Sequence, residues 1–129
     1  MRKPRLGIAV GDMCGIGPEI VSKVLESQAY ATQAELYVIG PEFYVKTLPS
    51  SAIPVGLNNL QKDQVVPGKL NPLAGKAAVE YVEKAIDLCM AGELDAIVTA
   101  PLNKEAMHAA GVNYPGHTEI LAARSKTEK

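Results

Sequence analysis

Residues 5–19 read RLGIAVGDMCGIGPE, and this stretch predicts a strand, a tight turn and a helix in that order. The run from Arg5 to Val10 is short and mostly apolar, which is typical of a strand buried on both faces of a sheet. Pro18 suits the first position of a helix, and Glu19 stabilises the positive end of the helix dipole. The helix is expected to bury one apolar stripe, formed by Ile20, Val21, Val24 and Leu25.

The clearest helix of the chain begins after Asn71 and Pro72. Apolar side chains recur along one side of it with the 3.6-residue period of an amphipathic helix. Glu80 and Lys84 stand one turn apart on the other side, where they are able to pair, and Gly92 is placed to end the helix.

Strands and helices alternate along the rest of the chain. Further strands are predicted at ELYVIG (35–40), 53–57 and DAIVT (95–99), whereas 58–71 gives no clear pattern. A shorter helix is predicted from about Asn103 to Ala110, and a last one from near Thr118. This order predicts a single α/β domain over residues 1–129, with a mainly parallel sheet covered by helices on both faces in three layers.

Composition and charge exclude several classes of protein. The 129 residues carry a net charge of −1 without runs of like charge, so we expect no nucleic acid partner and no binding to a membrane surface. The longest apolar runs fall well short of the roughly 18 residues of a membrane span. We therefore expect a cytoplasmic protein in which Cys14 and Cys89 are reduced thiols.

In an open parallel sheet, ligands bind beyond the carboxyl ends of the strands, which directs attention first to GDMCGIGPE (11–19). Its glycines do not match the common nucleotide fingerprints, and Pro18 removes one amide. Asp12 and Glu19 place negative charge where a phosphate would approach. The stretch therefore favours a structural turn, with Asp12 as a polar or cation-facing group at the strand end.

The second strand-end segment is richer in polar groups, with TAPLNKE (99–105) followed by YPGHTE (114–119). Lys104 and His117 are able to hold a phosphate or carboxylate, and the Thr118 hydroxyl adds a donor at a helix start, so the segment indicates anion binding. The alternatives are a solvated lysine at Lys104 and a plain helix cap at Thr118. For His117, which follows a Pro-Gly turn, a ligand-binding or acid–base role is weighed evenly against a structural one.

The same residues argue against two kinds of chemistry. His108 and His117 are nine positions apart and the cysteines lie in distant segments, so we predict no metal site within this chain. His108 is expected on a helix surface. No recognisable nucleophile motif supports acyl transfer.

The strings GDMCGIGPEI, PLAGKAAVEYVEKAIDL and TAPLNKEAMHAAGVNYPGHTEILA resemble the 4-hydroxythreonine-4-phosphate dehydrogenase family of pyridoxal phosphate biosynthesis. The resemblance implies an isocitrate-dehydrogenase-like α/β fold, a homodimer with active sites at the subunit interface, and a divalent metal (Zn, Mg or Co). It also implies NAD(P)-dependent oxidation of 4-phosphohydroxy-threonine to a β-keto acid that loses carbon dioxide to give 3-amino-2-oxopropyl phosphate. On this basis His117 and Thr118 contact substrate, while Asp12, Asn103 and Lys104 hold supporting positions.

Two departures from the family pattern qualify these expectations. Met13 and Cys14 replace the usual Pro-Ala, which alters the stiffness of the loop. Family members are also much longer, and their metal-binding histidines and most of the dinucleotide site lie beyond the GHTE string. We therefore expect this chain to correspond to the amino-terminal part of such an enzyme and to be inactive alone. Two alternatives stay open: a non-catalytic binding or dimerising fragment, and a related dehydrogenase for another phosphorylated hydroxy acid.

Overall fold

The computed structural model describes residues 3–27, 33–112 and 120, which form an α/β structure. Four strands make one sheet: β1 (Arg5–Ala9), β2 (Glu35–Pro41), β3 (Ala52–Leu57) and β4 (Ala96–Thr99). The helices are α1 (Gly17–Ser27), α2 (Glu42–Val45), α3 (Pro72–Met90) and α4 (Lys104–Ala109), with a short 3-10 helix at Lys62–Gln64. None of the helices described is both long and apolar enough to cross a membrane.

The sheet has the strand order β3-β2-β1-β4, and every pairing in it is parallel. Ile8 of β1 lies opposite Val38 of β2 on one side and Val98 of β4 on the other. This arrangement confirms the predicted α/β class and the parallel sheet. Because all four strands run in the same direction, the segments that follow β1 and β4 meet at one edge of the sheet.

Helix α3 begins and ends where its sequence signals indicate. The Asn71 side chain accepts a hydrogen bond from the Leu73 amide at 2.9 Å, so it caps the helix N-terminus. After the helix, the amides of Gly92 and Glu93 donate to carbonyl groups of its last turn, and Gly92 has a φ of 81°, as in a Schellman motif. Tyr81 is buried on the apolar side of the helix. The Glu80 carboxylate accepts from Asn59 at 2.7 Å, in place of the predicted pairing with Lys84.

The region that the sequence left unpredicted is anchored by α3. The Tyr81 hydroxyl donates to the Asn59 side chain at 3.1 Å, and the Asn59 side chain in turn donates to Glu80. Leu60, beside this pair, is buried in the core. Residues 58–60 therefore take their conformation from contacts with α3, which no local pattern in 58–71 could indicate.

The apolar stripe predicted for α1 is half wrong. Val21 and Leu25 are buried, but Ile20 and Val24 are exposed. Helix α3 packs on β1, β2 and β4, whereas Leu6, Ile8 and Val98 line an open groove beside α1. Within the described residues, Val21 and Leu25 of α1 still join the buried core beside this groove.

Candidate functional site

A cleft opens at the carboxyl ends of β1 and β4, where the sequence directed attention. The two segments are joined by backbone hydrogen bonds, from Ala100 N–H to the Ala9 carbonyl (3.0 Å) and from Asp12 N–H to the Pro101 carbonyl (3.2 Å). The cleft has a volume of about 450 Å³, within the range of small-molecule sites. It is lined by Asp12, Gly15, Ile16, Pro101, Leu102, Asn103, Lys104 and Glu105.

The turn after β1 depends on close approach between backbone segments. Gly11 has a φ of 75°, and a side-chain carbon there would lie 2.4 Å from the Pro101 carbonyl oxygen. A residue with a side chain would therefore be strained and would push the two segments apart. This contact explains the glycine at position 11, which agrees with the structural turn that the sequence favoured.

Asp12 is the buried ionisable group of the cleft, with 3% of its surface exposed. Its Oδ1 accepts a hydrogen bond from the Cys14 amide at 2.8 Å, whereas its Oδ2 is buried and has no hydrogen-bond partner among the described residues. Burial raises the pKa of Asp12 above its ordinary value, and the Cys14 amide opposes that shift. An unsatisfied buried carboxylate oxygen is costly, so this atom is an available acceptor for a donor group.

Electrostatic coupling extends from Asp12 into the core. The pKa of the Tyr81 phenol is raised, first by burial and then by the negative charges of Glu80 and Asp12. Tyr81 therefore stays protonated and donates to Asn59. Nothing local in the sequence shows that the Tyr81 hydroxyl is hydrogen-bonded or that it lies in the field of Asp12.

Asn103 and Lys104 also line the cleft, at the start of α4. The Asn103 side-chain oxygen accepts from the Ala106 amide at 3.0 Å and so caps the helix. Lys104 is exposed, so its position fits both a ligand-binding lysine and the solvated helix-start lysine of the sequence interpretation. Glu105, which the sequence analysis did not single out, also lines the cleft, and its place next to Lys104 was the available signal.

The structure thus brings Asp12, Asn103 and Lys104 into one cleft. His117 and Thr118 lie outside the described residues, so their assignment to the substrate stays a prediction. His108 is exposed on α4, as predicted. Within residues 3–27, 33–112 and 120, no group of three or more metal-ligating side chains comes together, so the described residues do not fit a divalent metal.

Comparisons with known proteins show which protein family the chain resembles. The family model described as "Pyridoxal phosphate biosynthetic protein PdxA" matches residues 18–129. A Clostridium botulinum (strain Hall) protein carrying the name "Putative D-threonate 4-phosphate dehydrogenase" is 39% identical over 155 residues, covering 98% of this chain and 44% of that protein. The 4-hydroxythreonine-4-phosphate dehydrogenase of Trichlorobacter lovleyi is 36% identical over 143 residues, covering 93% of this chain and 43% of that protein.

The fold of this chain also matches a solved structure of a family member. The crystal structure of a 4-hydroxythreonine-4-phosphate dehydrogenase from Burkholderia phymatum matches with a TM-score of 0.89 and 33% identity, covering 100% of this chain and 46% of that chain. The chain therefore spans less than half the length of the relatives it matches. Its fold is that of isocitrate and isopropylmalate dehydrogenases, as the sequence resemblance implied. By family model and by structure, the chain belongs to the family of pyridoxal phosphate biosynthetic protein PdxA.

Proposed function

We propose that this chain provides part of the substrate site of an NAD(P)-dependent dehydrogenase that oxidises 4-phosphohydroxy-threonine. In this reaction the 3-hydroxyl becomes a ketone, a hydride passes to NAD(P), and a proton is released. The resulting β-keto acid loses carbon dioxide to give 3-amino-2-oxopropyl phosphate, a step in pyridoxal phosphate biosynthesis. The observation that carries the proposal is the match, over nearly the whole chain, to proteins named 4-hydroxythreonine-4-phosphate dehydrogenase.

The cleft contains both positive and negative side chains, which supports a substrate that carries both negative and positive groups. Lys104 supplies a cation, while Asp12 and Glu105 supply carboxylates. An ammonium side chain is suited to a phosphate or carboxylate group, and the unpartnered Asp12 Oδ2 is suited to an ammonium or hydroxyl donor. Phosphohydroxythreonine carries all of these groups. In this proposal Lys104 holds an anionic group, Asp12 accepts from the amino acid portion, and His117 and Thr118 make further substrate contacts.

Nicotinamide supplies the hydride acceptor in the proposed reaction, and a divalent metal is the expected activator of the substrate hydroxyl. The described residues do not form a metal site, so no step of the proposal passes through a metal held by them. The contribution assigned to this chain is binding and orientation of the phosphorylated substrate. We place the complete site in a homodimer, as the family resemblance implies.

A second candidate substrate is D-threonate 4-phosphate, which is the substrate in the name of the Clostridium botulinum relative. This compound has a hydroxyl in place of the amino group of phosphohydroxythreonine. A carboxylate such as Asp12 forms a charge-assisted hydrogen bond with an ammonium group and a weaker neutral one with a hydroxyl, which favours the amino acid.

Formation of NADH tests the proposal directly. The purified chain is given either substrate, NAD and a divalent metal, with and without a separate polypeptide that carries the remaining part of a family enzyme. Turnover that requires both polypeptides is the expected result, with the amino acid as the better substrate. Turnover of D-threonate 4-phosphate alone would select the second candidate. If the complex forms no NADH with either substrate, the chain is better explained as a non-catalytic binding or dimerising fragment.

Single substitutions in the active complex test the individual residues. Lys104→Ala and His117→Ala should each weaken substrate use by about 10 to 100-fold, which corresponds to loss of one charge-assisted hydrogen bond. Lys69→Ala is the matched control, because Lys69 is also exposed but does not line the cleft. If Lys104→Ala and Lys69→Ala have the same kinetics, Lys104 does not contact the substrate. If His117→Ala has the kinetics of the unsubstituted complex, His117 does not contact the substrate.

A further inference from the structure

Two charged residues of the cleft, Lys104 and Glu105, belong to the first turn of α4. This helix is only six residues long. A helix so short has little stability of its own, because fixing its first turn costs more than a few hydrogen bonds return. The contacts that hold this turn in place therefore decide where the charges of the cleft lie.

The middle of α4 is fixed by its packing on α3. Ala106 and Met107 are fully buried. A side-chain carbon at Gly75 of α3 would lie 2.5 Å from the Ala106 carbonyl carbon, so the two backbones are in close contact where α3 has no side chain. Residues 103–105, in contrast, are exposed. Packing on α3 thus holds the inner side of α4 but leaves the start of the helix to other contacts.

Asn103 provides such a contact at the start of the helix. Its side-chain oxygen accepts a hydrogen bond from the Ala106 amide at 3.0 Å, and its main-chain carbonyl accepts from the Met107 amide at 3.0 Å. The first of these bonds satisfies one of the amides that the start of a helix leaves without a partner. The Asn103 oxygen is therefore committed to the helix, and Lys104 is the next residue along the chain.

We propose that Asn103 is a positioning residue: its side-chain oxygen fixes the first turn of α4 and thereby places Lys104 at the cleft, while Asn103 itself does not contact the substrate. The inference rests on the proposed function, in which Lys104 holds an anionic group of the substrate. It separates two neighbours that both line the cleft, since one binds the substrate and the other acts through it.

Two substitutions separate the cap from a direct contact. Asn103→Ala removes the cap oxygen, whereas Asn103→Ser keeps a cap oxygen and removes the amide nitrogen that would be left to donate to a substrate. In the chain alone, hydrogen exchange of the Ala106 amide should be about fivefold faster in Asn103→Ala and should return to its original rate in Asn103→Ser.

Kinetics of the active complex measure the consequence for the site. Asn103→Ala should raise KM for the phosphorylated substrate about three- to fivefold with little change in kcat, because the turn that carries Lys104 is formed for a smaller fraction of the time. Asn103→Ser should retain the original KM. Asn71→Ala is the matched control: it removes the same kind of cap from α3, but Asn71 does not line the cleft, so KM should be unchanged.

A double-mutant cycle tests whether Asn103 acts through Lys104. In a Lys104→Ala background, Asn103→Ala should change KM by less than about 1.5-fold, because two residues that act through one contact are not additive. Equal effects in both backgrounds, or an Asn103→Ser variant as impaired as Asn103→Ala, would overturn the proposal in favour of a direct substrate contact. Unchanged exchange of the Ala106 amide in Asn103→Ala would also overturn it. If no variant and no unsubstituted complex forms NADH, the proposed function fails, and the exchange measurement still decides whether Asn103 holds the turn.

Discussion

Replacing Asp12 by Asn should stabilise the folded chain at neutral pH. The substitution retains an oxygen able to accept from the Cys14 amide, and it removes the charge beside the buried, unpartnered Oδ2. An unsatisfied buried polar group costs about 1–3 kcal/mol, and more when it is charged. The new amide nitrogen is also unsatisfied, so the substitution does not remove the whole cost of burial. The expected gain in the free energy of unfolding is the difference between burying an unsatisfied carboxylate and burying an unsatisfied amide, about 1–2 kcal/mol. For a chain of this size that gain corresponds to a rise in Tm of roughly 4–8 °C.

The pH dependence of this gain follows from the direction of the pKa shift. Burial raises the pKa of Asp12 in the folded chain above the value of 3.8 expected for an exposed carboxyl group. Between the unfolded and folded pKa values the folded chain binds more protons, so stability falls as the pH rises through that window and stays lower above it. The advantage of Asp12→Asn should therefore be largest above the raised pKa of Asp12 and should shrink as the pH falls toward 4.

Urea unfolding of the chain and of Asp12→Asn between pH 4 and pH 8 measures both effects. Asp63→Asn is the control, because Asp63 is exposed in the short 3-10 helix and its replacement should change the free energy of unfolding by less than about 0.5 kcal/mol. The reasoning is refuted if Asp12→Asn is no more stable than the unsubstituted chain at pH 7, or if the difference does not change with pH. In the active complex the same variant should lose substrate use, since Asp12 is proposed to accept a hydrogen bond from the substrate.

Three further substitutions test the packing that supports the site. Gly75→Val should destabilise the chain by about 2 kcal/mol in urea unfolding. The reason is that a side-chain carbon at position 75 would lie 2.5 Å from the Ala106 carbonyl carbon. An unchanged unfolding midpoint would show that α3 and α4 separate freely. Asn71→Ala should cost about 1 kcal/mol through loss of the α3 cap, and a loss below 0.3 kcal/mol would contradict that role. Tyr81→Phe should cost about 1–2 kcal/mol at pH 7 by leaving Asn59 without its donor. Because the pKa of Tyr81 is raised, the unfolded chain ionises first, so stability should fall above about pH 10 in the unsubstituted chain but less steeply in Tyr81→Phe.

The location of the candidate site was predictable from the chain, whereas its electrostatics were not. Parallel strands end at a common edge, so the segments after Val10 and Thr99 were expected to meet, and Asp12 and Lys104 do line one cleft. The burial of Asp12 and its effect on Tyr81 arise between residues 69 positions apart, and local patterns carry no information about such contacts.

The sequence by itself determined the α/β class, the parallel sheet and the ends of α3, because hydrophobic periodicity, the Asn71 cap and the glycine at position 92 act over a few residues. Only the tertiary structure decided which apolar residues of α1 are buried. Ile20, Val21, Val24 and Leu25 share one helix face, yet only Val21 and Leu25 are buried. Burial depends on how much neighbouring surface is present to cover the helix, which is a property of packing in three dimensions and not of the helical repeat.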